Sequence, residues 1–177
     1  MTTFRWGLSW AAGSLILDQA WKALFLYGFG WIATLEPGHA GDILPIEVLP
    51  FFDIVMVWNH GISYGLLQAT SDFQRWVLTL FAVGVIGFLV WWLRGIKDRR
   101  LAQAVGLIIG GAIGNNVIDR VLYGGVADFF YLHAFGYTWY VFNLADVAIV
   151  AGVLVMGFDL VVNEWRARTS GVKEDQT

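Results

Sequence analysis

Four apolar stretches, each long enough to cross a bilayer, constrain the fold of this chain more than any other feature. They cover residues 6–29, 76–93, 101–118 and 140–158. An α-helix rises about 1.5 Å per residue, so about 20 residues span the hydrocarbon core of a membrane. Because lipid offers no partners for backbone N–H and C=O groups, each stretch is expected to be helical. We therefore predict an all-α integral membrane protein with four transmembrane helices.

The composition agrees with a membrane protein and excludes several other classes. Hydrophobic residues make up 58% of the 177 positions and charged residues only 14%, more apolar surface than a soluble domain of this size buries. The sequence has no Cys, which excludes disulfides, thiol catalysis and Cys-ligated metals. His39, His60 and His133 lack zinc-protease spacing, so neither a metal nor another cofactor is expected. At a net charge of −3, no nucleic-acid partner is expected either.

The basic residues predict the orientation of the chain. Residues 23–73 contain no Lys or Arg, whereas eight of the eleven basic residues flank the other ends of the apolar stretches. These eight are Arg5, Arg94, Lys97, Arg99, Arg100, Arg166, Arg168 and Lys173. By the positive-inside rule, both termini and the loop between the second and third helices are cytoplasmic. We predict a single four-helix transmembrane domain over residues 1–165 and a polar cytoplasmic tail over residues 166–177.

The outward segment 30–72 is predicted to contain a small extracytoplasmic β-structure between the first two helices. Within it, residues 43–49 and 52–58 are apolar runs rich in β-branched residues, which could pair as short strands. Aromatic residues in the same segment suit the interface between membrane and water. They are Trp31, Phe51, Phe52 and Trp58. The second long connection, residues 122–139, is expected to face outward as well.

Polar residues in or beside the apolar stretches are the best candidates for function. A charged side chain at a helix centre costs about 2.5–3.5 kcal/mol on insertion scales, so each needs a partner or a role. Asp18 and Lys22 are spaced i, i+4, which predicts an internal ion pair, with Lys22 reaching the outer interface as the alternative. Asp119 beside Arg120 suggests a charge-neutral anchor at the interface. Gly106, Gly110 and Gly114 are spaced for close helix packing.

Asp128 and Asp146 differ from these, because neither has a basic residue within four positions. A carboxyl group in apolar surroundings normally takes up a proton. Two such groups that face each other can share one proton, as in the aspartic-protease dyad. The residues alone leave three interpretations open: catalysis, two protonated acids that hold helices together, and a proton relay.

Five short motifs occur in order along the chain. They are the runs 18–22 (DQAWK), 59–65 (NHGISYG), 110–120 (GGAIGNNVIDR), 126–129 (VADF) and 142–146 (FNLAD). In these motifs, and over about residues 15–160, the sequence resembles the lipoprotein signal peptidase (signal peptidase II) family of bacterial membrane aspartyl peptidases, peptidase family A8. It departs from the family at Trp21, where Ser or Thr is usual, and at Tyr64, where Phe is usual.

The resemblance implies an intramembrane aspartic endopeptidase that removes the signal peptide from diacylglyceryl-modified prolipoproteins, cleaving just before the lipid-modified Cys. It implies Asp128 and Asp146 as the catalytic residues. It further implies a bacterial inner-membrane enzyme with its active site at the periplasmic side, whose partners are the prolipoprotein, membrane lipid and a cyclic peptide inhibitor of the globomycin type. The residues that would bind substrate or support the site are Asn59, Gly61, Asn116, Asn143, Asp18, Lys22, Asp119 and Arg120.

The third motif contains one residue more than the family pattern. Three residues separate Gly114-Asn115 from Asp119, where the family has two. A π-bulge in the helix could absorb the extra residue. Counting forward from Gly110 assigns the family Asn to Asn115, and counting back from Asp119 assigns it to Asn116, which we favour.

Two interpretations from other classes compete with a peptidase. Buried acids also suit a small proton-coupled transporter or channel, although no inverted repeat is visible in the sequence. A scaffold subunit would explain the glycine-rich helix but would leave Asp128 and Asp146 without a role.

Overall fold

A computed structural model of the protein describes residues 1–35, 43–61 and 72–174. Of the sequence predictions, His39 and the second half of the 59–65 motif lie outside the described residues. The elements in chain order are α1 (Thr3–Ala23), a π-helical turn (Leu24–Gly28), a 3₁₀ turn (Trp31–Leu35), β1 (Ile46–Leu49), β2 (Phe52–Asn59), α2 (Asp72–Leu93), α3 (Arg99–Ala112), a π-helical segment (Ile113–Asp119), α4 (Arg120–Leu122), β3 (Val126–Ala134), β4 (Tyr137–Thr138) and α5 (Leu144–Glu174).

Three helices in the described part of the chain are long and apolar enough to cross a membrane. They cover Asp72–Leu93, Arg99–Leu122 and Leu144–Val162. The first predicted stretch is also helical, as α1, but it does not meet this criterion. The physical reason is its polar content, since α1 carries Arg5, Asp18 and Lys22. By length and composition, the structure thus confirms three of the four predicted spans.

The boundaries of the last helix differ from the prediction at both ends. The predicted fourth span includes residues 140–143, but these residues are not helical. Phe142 instead forms a β-bridge with Phe130 of β3. The helix therefore begins at Leu144. At its other end α5 continues to Glu174, so most of the predicted polar tail is helical.

The all-α class is a correction, because the structure contains a four-stranded antiparallel sheet in the order β1-β2-β3-β4. The predicted pairing of β1 with β2 is confirmed, with Ile46 opposite Ile54. The prediction missed β3, which comes from the 122–139 connection and pairs with β2 over Phe52–Asn59. Five successive residues of β3, Val126–Phe130, are buried, so the strand lacks the alternation that marks a strand with one solvent face.

Glycines let α3 pack closely between α1 and α5. A Cβ atom at Gly106 would overlap the backbone oxygen of Gly7, and one at Gly110 would overlap that of Ala11. A Cβ at Gly111 would lie 2.5 Å from the backbone oxygen of Ala145. This packing is the small-residue contact that the glycine spacing predicts, and it brings polar residues of three helices together at one end of the bundle.

An aromatic cluster joins the sheet to the end of α1. The ring of Phe25 lies 4.9 Å from that of Trp31 and 5.5 Å from that of Phe129. Trp21, which replaces the small polar residue usual in the family, packs its ring 4.9 Å from Phe25 and 5.4 Å from Phe130. These contacts fix the sheet over the end of the bundle where the polar residues converge.

Candidate active site

Lys22 is the centre of a buried polar cluster between α1 and the π-helical segment. Its Nζ lies 2.8 Å from Asp18 and 2.7 Å from Asp119, and it donates to Asn115 Oδ1 at 2.7 Å. Gln19 Nε2 donates to both carboxylates at 3.1 Å. The predicted ion pair of Asp18 with Lys22 is confirmed, and Asp119 joins it. The alternative, in which Lys22 reaches the interface, is wrong, because the side chain is only 2% exposed.

The two carboxylates of this cluster also hold backbone groups of other elements. Asp18 Oδ1 accepts a hydrogen bond from the N–H of Ala145 at 3.0 Å, and Asp119 Oδ2 accepts one from the N–H of Ala127 at 3.2 Å. Ala145 directly precedes Asp146, and Ala127 directly precedes Asp128. Each supporting carboxylate therefore fixes the backbone beside one of the two acids that the sequence singles out.

Asp146 lies in the first turn of α5, where it forms a capping box with Asn143. The Asn143 side chain accepts from the N–H of Asp146 at 3.0 Å, and the Asp146 carboxylate accepts from the N–H of Asn143 at 3.1 Å. Asn115 donates to the second Asp146 oxygen at 2.9 Å and to Asn143 Oδ1 at 3.2 Å. Because these partners come from two elements, the Asp146 carboxylate has a fixed orientation.

Asp128 lies in β3 and faces the same asparagine. Asn143 Nδ2 donates to Asp128 Oδ1 at 2.6 Å, and Asn59 Nδ2 of β2 donates to Asp128 Oδ2 at 3.2 Å. Burial, and after it the negative charge of Asp146, raises the pKa of the Asp128 carboxyl to about 8. The hydrogen bonds from Asn59 and Asn143 and the charge of Lys22 lower the pKa, but burial is the larger effect.

Arg120 and Asp119 do not form the charge-neutral anchor that the sequence suggests. Asp119 is fully buried and pairs with Lys22. The guanidinium group of Arg120 donates instead to the backbone oxygens of His60 and Gly61. Arg120 thereby holds the residues that directly follow β2, next to Asn59, the last residue of the strand and a donor to Asp128.

The predicted π-bulge is present, since residues Ile113–Asp119 form a π-helical segment. Within it, Asn115 and Asp119 both contact Lys22, so they lie on the same face. Asn115, rather than the favoured Asn116, therefore makes the contacts with Lys22, Asn143 and Asp146. Asn116 lies one position further on and lines the adjacent cavity.

A cavity of about 280 Å³ brings Asp128 and Asp146 together in its wall. Of the other predicted site residues, Asn59, Gly61, Asn116 and Arg120 also line the cavity, together with Asn115. Asp18, Lys22, Asp119 and Asn143 do not line it. The remaining lining is formed by Val126, Tyr140, Ile149 and Val150. Among the described residues, no group of three or more His, Cys, Asp or Glu side chains could hold a metal ion.

Three residues of the site are not among the favoured sequence predictions. Gln19 bridges Asp18 and Asp119, and its place in the DQ pair of the first motif was a signal for it. Asn115 is the less favoured alternative to Asn116, and only the position of the π-bulge decides between them. Tyr140 lines the cavity, and nothing distinguishes it in the sequence from the other aromatic residues near the membrane interface.

The chain is similar to known proteins over nearly its whole length. A family model described as signal peptidase (SPase) II matches residues 10–162. The lipoprotein signal peptidase of Methylorubrum extorquens (strain PA1) is 43% identical over 172 residues, covering 97% of this chain and 95% of that protein. That of Methylobacterium radiotolerans is 45% identical over 159 residues, covering 90% and 87%.

Two solved structures are similar to this chain in fold. A bacterial membrane enzyme, determined by the in meso method at 2.3 Å resolution, matches with a TM-score of 0.70 and 26% identity over 89% of this chain and 88% of that one. A second bacterial membrane enzyme, at 1.9 Å resolution, matches with a TM-score of 0.65 and 28% identity over 87% and 91%. From the family model and the near full-length relatives it follows that this chain belongs to the signal peptidase II family.

Proposed function

We propose that Asp128 and Asp146 are the catalytic pair with which this membrane-bound aspartic peptidase removes signal peptides from lipoprotein precursors. One observation carries the assignment. Both carboxyl groups line a single cavity, and neither forms an ion pair with any described residue, whereas Asp18 and Asp119 are both paired with Lys22. Membership in a peptidase family argues against the transporter or channel and the scaffold subunit.

The protonation of the pair assigns a role to each carboxyl group. With a pKa of about 8, Asp128 holds a proton at neutral pH. We assign the proton-accepting role to Asp146, whose carboxylate is oriented by N–H donors of Asn115 and Asn143. This is the division of labour of a general acid and a general base that share one proton.

The reaction follows from these roles. Asp146 takes a proton from a water molecule while the water oxygen bonds to the carbonyl carbon of the scissile peptide. Asp128 gives its proton to the carbonyl oxygen, and a tetrahedral diol forms. The proton held by Asp146 then passes to the amide nitrogen, the C–N bond breaks, and a diol proton returns to Asp128.

We further propose that the bond cleaved is the one just before a diacylglyceryl-modified Cys of a prolipoprotein. The polar wall of the cavity, with Asn59, Gly61, Asn116 and Arg120, offers hydrogen bonds to an unwound peptide backbone. Ile149 and Val150 of α5 line the cavity on the helix that crosses the membrane, which suits a substrate that arrives through lipid. A cyclic peptide inhibitor of the globomycin type would occupy the same cavity.

We propose a topology in which α1 is a fourth span, both termini are cytoplasmic and the site faces the periplasm from the inner membrane. The close contact of α1 with α3, itself apolar enough to span, supports the fourth span. Arg5 and the basic residues 94–100 lie at the ends of the helices away from Asp128. The peptidase domain then covers residues 1–165.

The test is turnover of lipid-modified prolipoprotein by purified Asp128→Asn and Asp146→Asn enzymes. Each substitution keeps the volume of the side chain and removes its acid–base function, so each should lower turnover at least about 100-fold. Asp72→Asn is the matched control, because Asp72 is 84% exposed and lies outside the cavity. Turnover near that of the unsubstituted enzyme in either cavity variant would remove that residue from the catalytic pair.

A further inference from the structure

The turn between β3 and β4 presents an unusual residue at its tip. The register of His133 with Thr138 and of Ala134 with Tyr137 leaves Phe135 and Gly136 as a two-residue loop. Both residues have positive φ, 52° for Phe135 and 79° for Gly136. Such turns favour Asn or Gly at the first position, and a bulky aromatic residue there is strained. The side chain of Phe135 is nevertheless 100% exposed, so no residue in the described part of the chain packs on it to offset that strain.

Three more exposed aromatic residues lie in or beside the turns at this end of the sheet. Phe51, Tyr137 and Trp139 are 49%, 81% and 56% exposed. Phe51 lies in the turn before β2, and its backbone oxygen accepts a hydrogen bond from His133 of β3, which brings the two turns together. We name Phe51, Phe135, Tyr137 and Trp139 the aromatic tip. Phe51, Tyr137 and Trp139 line an apolar groove of about 320 Å³ beside the turn that carries Phe135.

The chain around the aromatic tip has the composition of a membrane interface. Residues 134–143 contain no charged side chain, and the neighbouring His133 is turned to Asp53, 2.9 Å away. Tyr and Trp concentrate at the level of lipid headgroups, where an apolar ring and a polar group are both accommodated. The membrane-crossing part of α5 begins at Leu144, only five residues after Trp139.

We propose that the aromatic tip inserts into the lipid interface on the side of the membrane where α5 begins. Lipid is the favoured occupant because the tip is continuous in sequence with a span that lipid already surrounds. Burial in lipid also gives a physical reason for Phe135 at a position that its backbone conformation disfavours. The insertion anchors one wall of the cavity as well, since the ring of Trp139 lies 5.6 Å from that of Tyr140.

The absence of native Cys allows a direct test in proteoliposomes. A polarity-sensitive fluorophore is attached to Phe135→Cys, and quenching is measured with nitroxide lipids labelled near the glycerol or near the acyl-chain ends. We expect stronger quenching by the shallow label. Glu47→Cys, on the exposed strand β1, is the control for a position in water, and it also shows whether the fluorophore itself drives insertion. Phe81→Cys, within α2, is the control for a position in the hydrocarbon core. A signal at position 135 equal to that at position 47 overturns the proposal.

A second measurement keeps Phe135 in place and attaches the fluorophore to the exposed Ala134→Cys. Quenching by the shallow label is expected with Phe135 present, and it should fall toward the level of position 47 in the Phe135→Asn background. Asn suits the turn, so the hairpin itself is retained. Equal quenching in both backgrounds would contradict anchoring by Phe135. Shielding of position 134 without any quenching by lipid would indicate a protein partner and overturn the proposal.

Discussion

At the scale of single residues, the site is built in two layers of carboxylates. Asp18 and Asp119 are paired with Lys22, and each also accepts a backbone N–H next to one acid of the catalytic pair. Asp128 and Asp146 face the cavity without a cation of their own. Asp18 and Asp119 therefore hold the backbone beside Asp128 and Asp146, and these two acids are the ones available for proton transfer.

Removal of Lys22 should destabilise the protein. Lys22→Met leaves two carboxylates, Asp18 and Asp119, buried without a counter-charge, and breaking a buried ion pair from one side costs about 3–5 kcal/mol. Thermal unfolding in one detergent compares this variant with Lys97→Met, in which an exposed Lys is removed. If both variants unfold at the temperature of the parent protein, the cluster does not hold the site together.

Activity should decrease at alkaline pH as the Asp128 carboxyl loses its proton. Asp128 must carry a proton to donate, and its pKa is about 8, so kcat/KM should fall about tenfold per pH unit above that value. Turnover measured from pH 6 to pH 10 checks this limit. A profile that stays level through pH 10 would show that the proton comes from another group.

The same pKa predicts a pH-dependent stability. The folded pKa of Asp128 is raised from 3.8 to about 8, so the folded state binds this proton more tightly than the unfolded state does. Stability is therefore lost as pH rises from about 4 to about 8, and it levels off above that range. Asp128→Asn removes this loss, so its melting temperature relative to the parent should be higher at pH 9 than at pH 5. A difference that is the same at both pH values would contradict the raised pKa.

The sequence predicts the acids of the site better than the asparagines. Asp128 and Asp146 can be identified because no basic residue lies within four positions of either in the chain, and in the described part of the fold neither forms an ion pair, although Arg120 lines the same cavity. The choice between Asn115 and Asn116 depends instead on where the helix widens. Because the π-helical segment extends over Ile113–Asp119, the two counts disagree, and only the count forward from Gly110 gives Asn115, the asparagine that contacts Lys22.

At the scale of elements, the close approach of α1 and α3 brings Lys22 within reach of Asn115 and Asp119. Gly110→Ala should therefore destabilise the protein by about 1–3 kcal/mol, since its Cβ would overlap Ala11 and Ser14. Gly84→Ala in α2 is the matched control, because nothing lies within 4 Å of its Cβ position. The control should be neutral or slightly stabilising. Equal melting temperatures of the two variants would contradict the packing.

The helices are more predictable from sequence than the sheet. A span has a length fixed by the membrane, so its apolar stretch can be recognised in isolation. The strand β3 requires β2 as a partner and the aromatic cluster as a cover, and both are distant in sequence. The pairing of β1 with β2 can be predicted because the two strands are adjacent in sequence and separated only by a turn.

At the scale of the whole molecule, the proposed orientation can be tested with the same Cys-free background. Glu47→Cys on β1 should react in intact cells with a maleimide that does not cross the inner membrane. Lys97→Cys, in the loop between α2 and α3, should react only after the cells are opened. The reverse pattern would invert the topology and place the cavity at the cytoplasmic side.

The most direct test of the account is turnover by the double variant Asp128→Asn/Asp146→Asn beside the two single variants. If the two acids act as one unit, removing either one abolishes the shared function, and removing the second costs no more. We predict that the double variant is as inactive as each single variant, with all three still showing a cooperative unfolding transition at pH 5. A double variant whose loss equals the product of the single losses would show independent roles and contradict a catalytic pair.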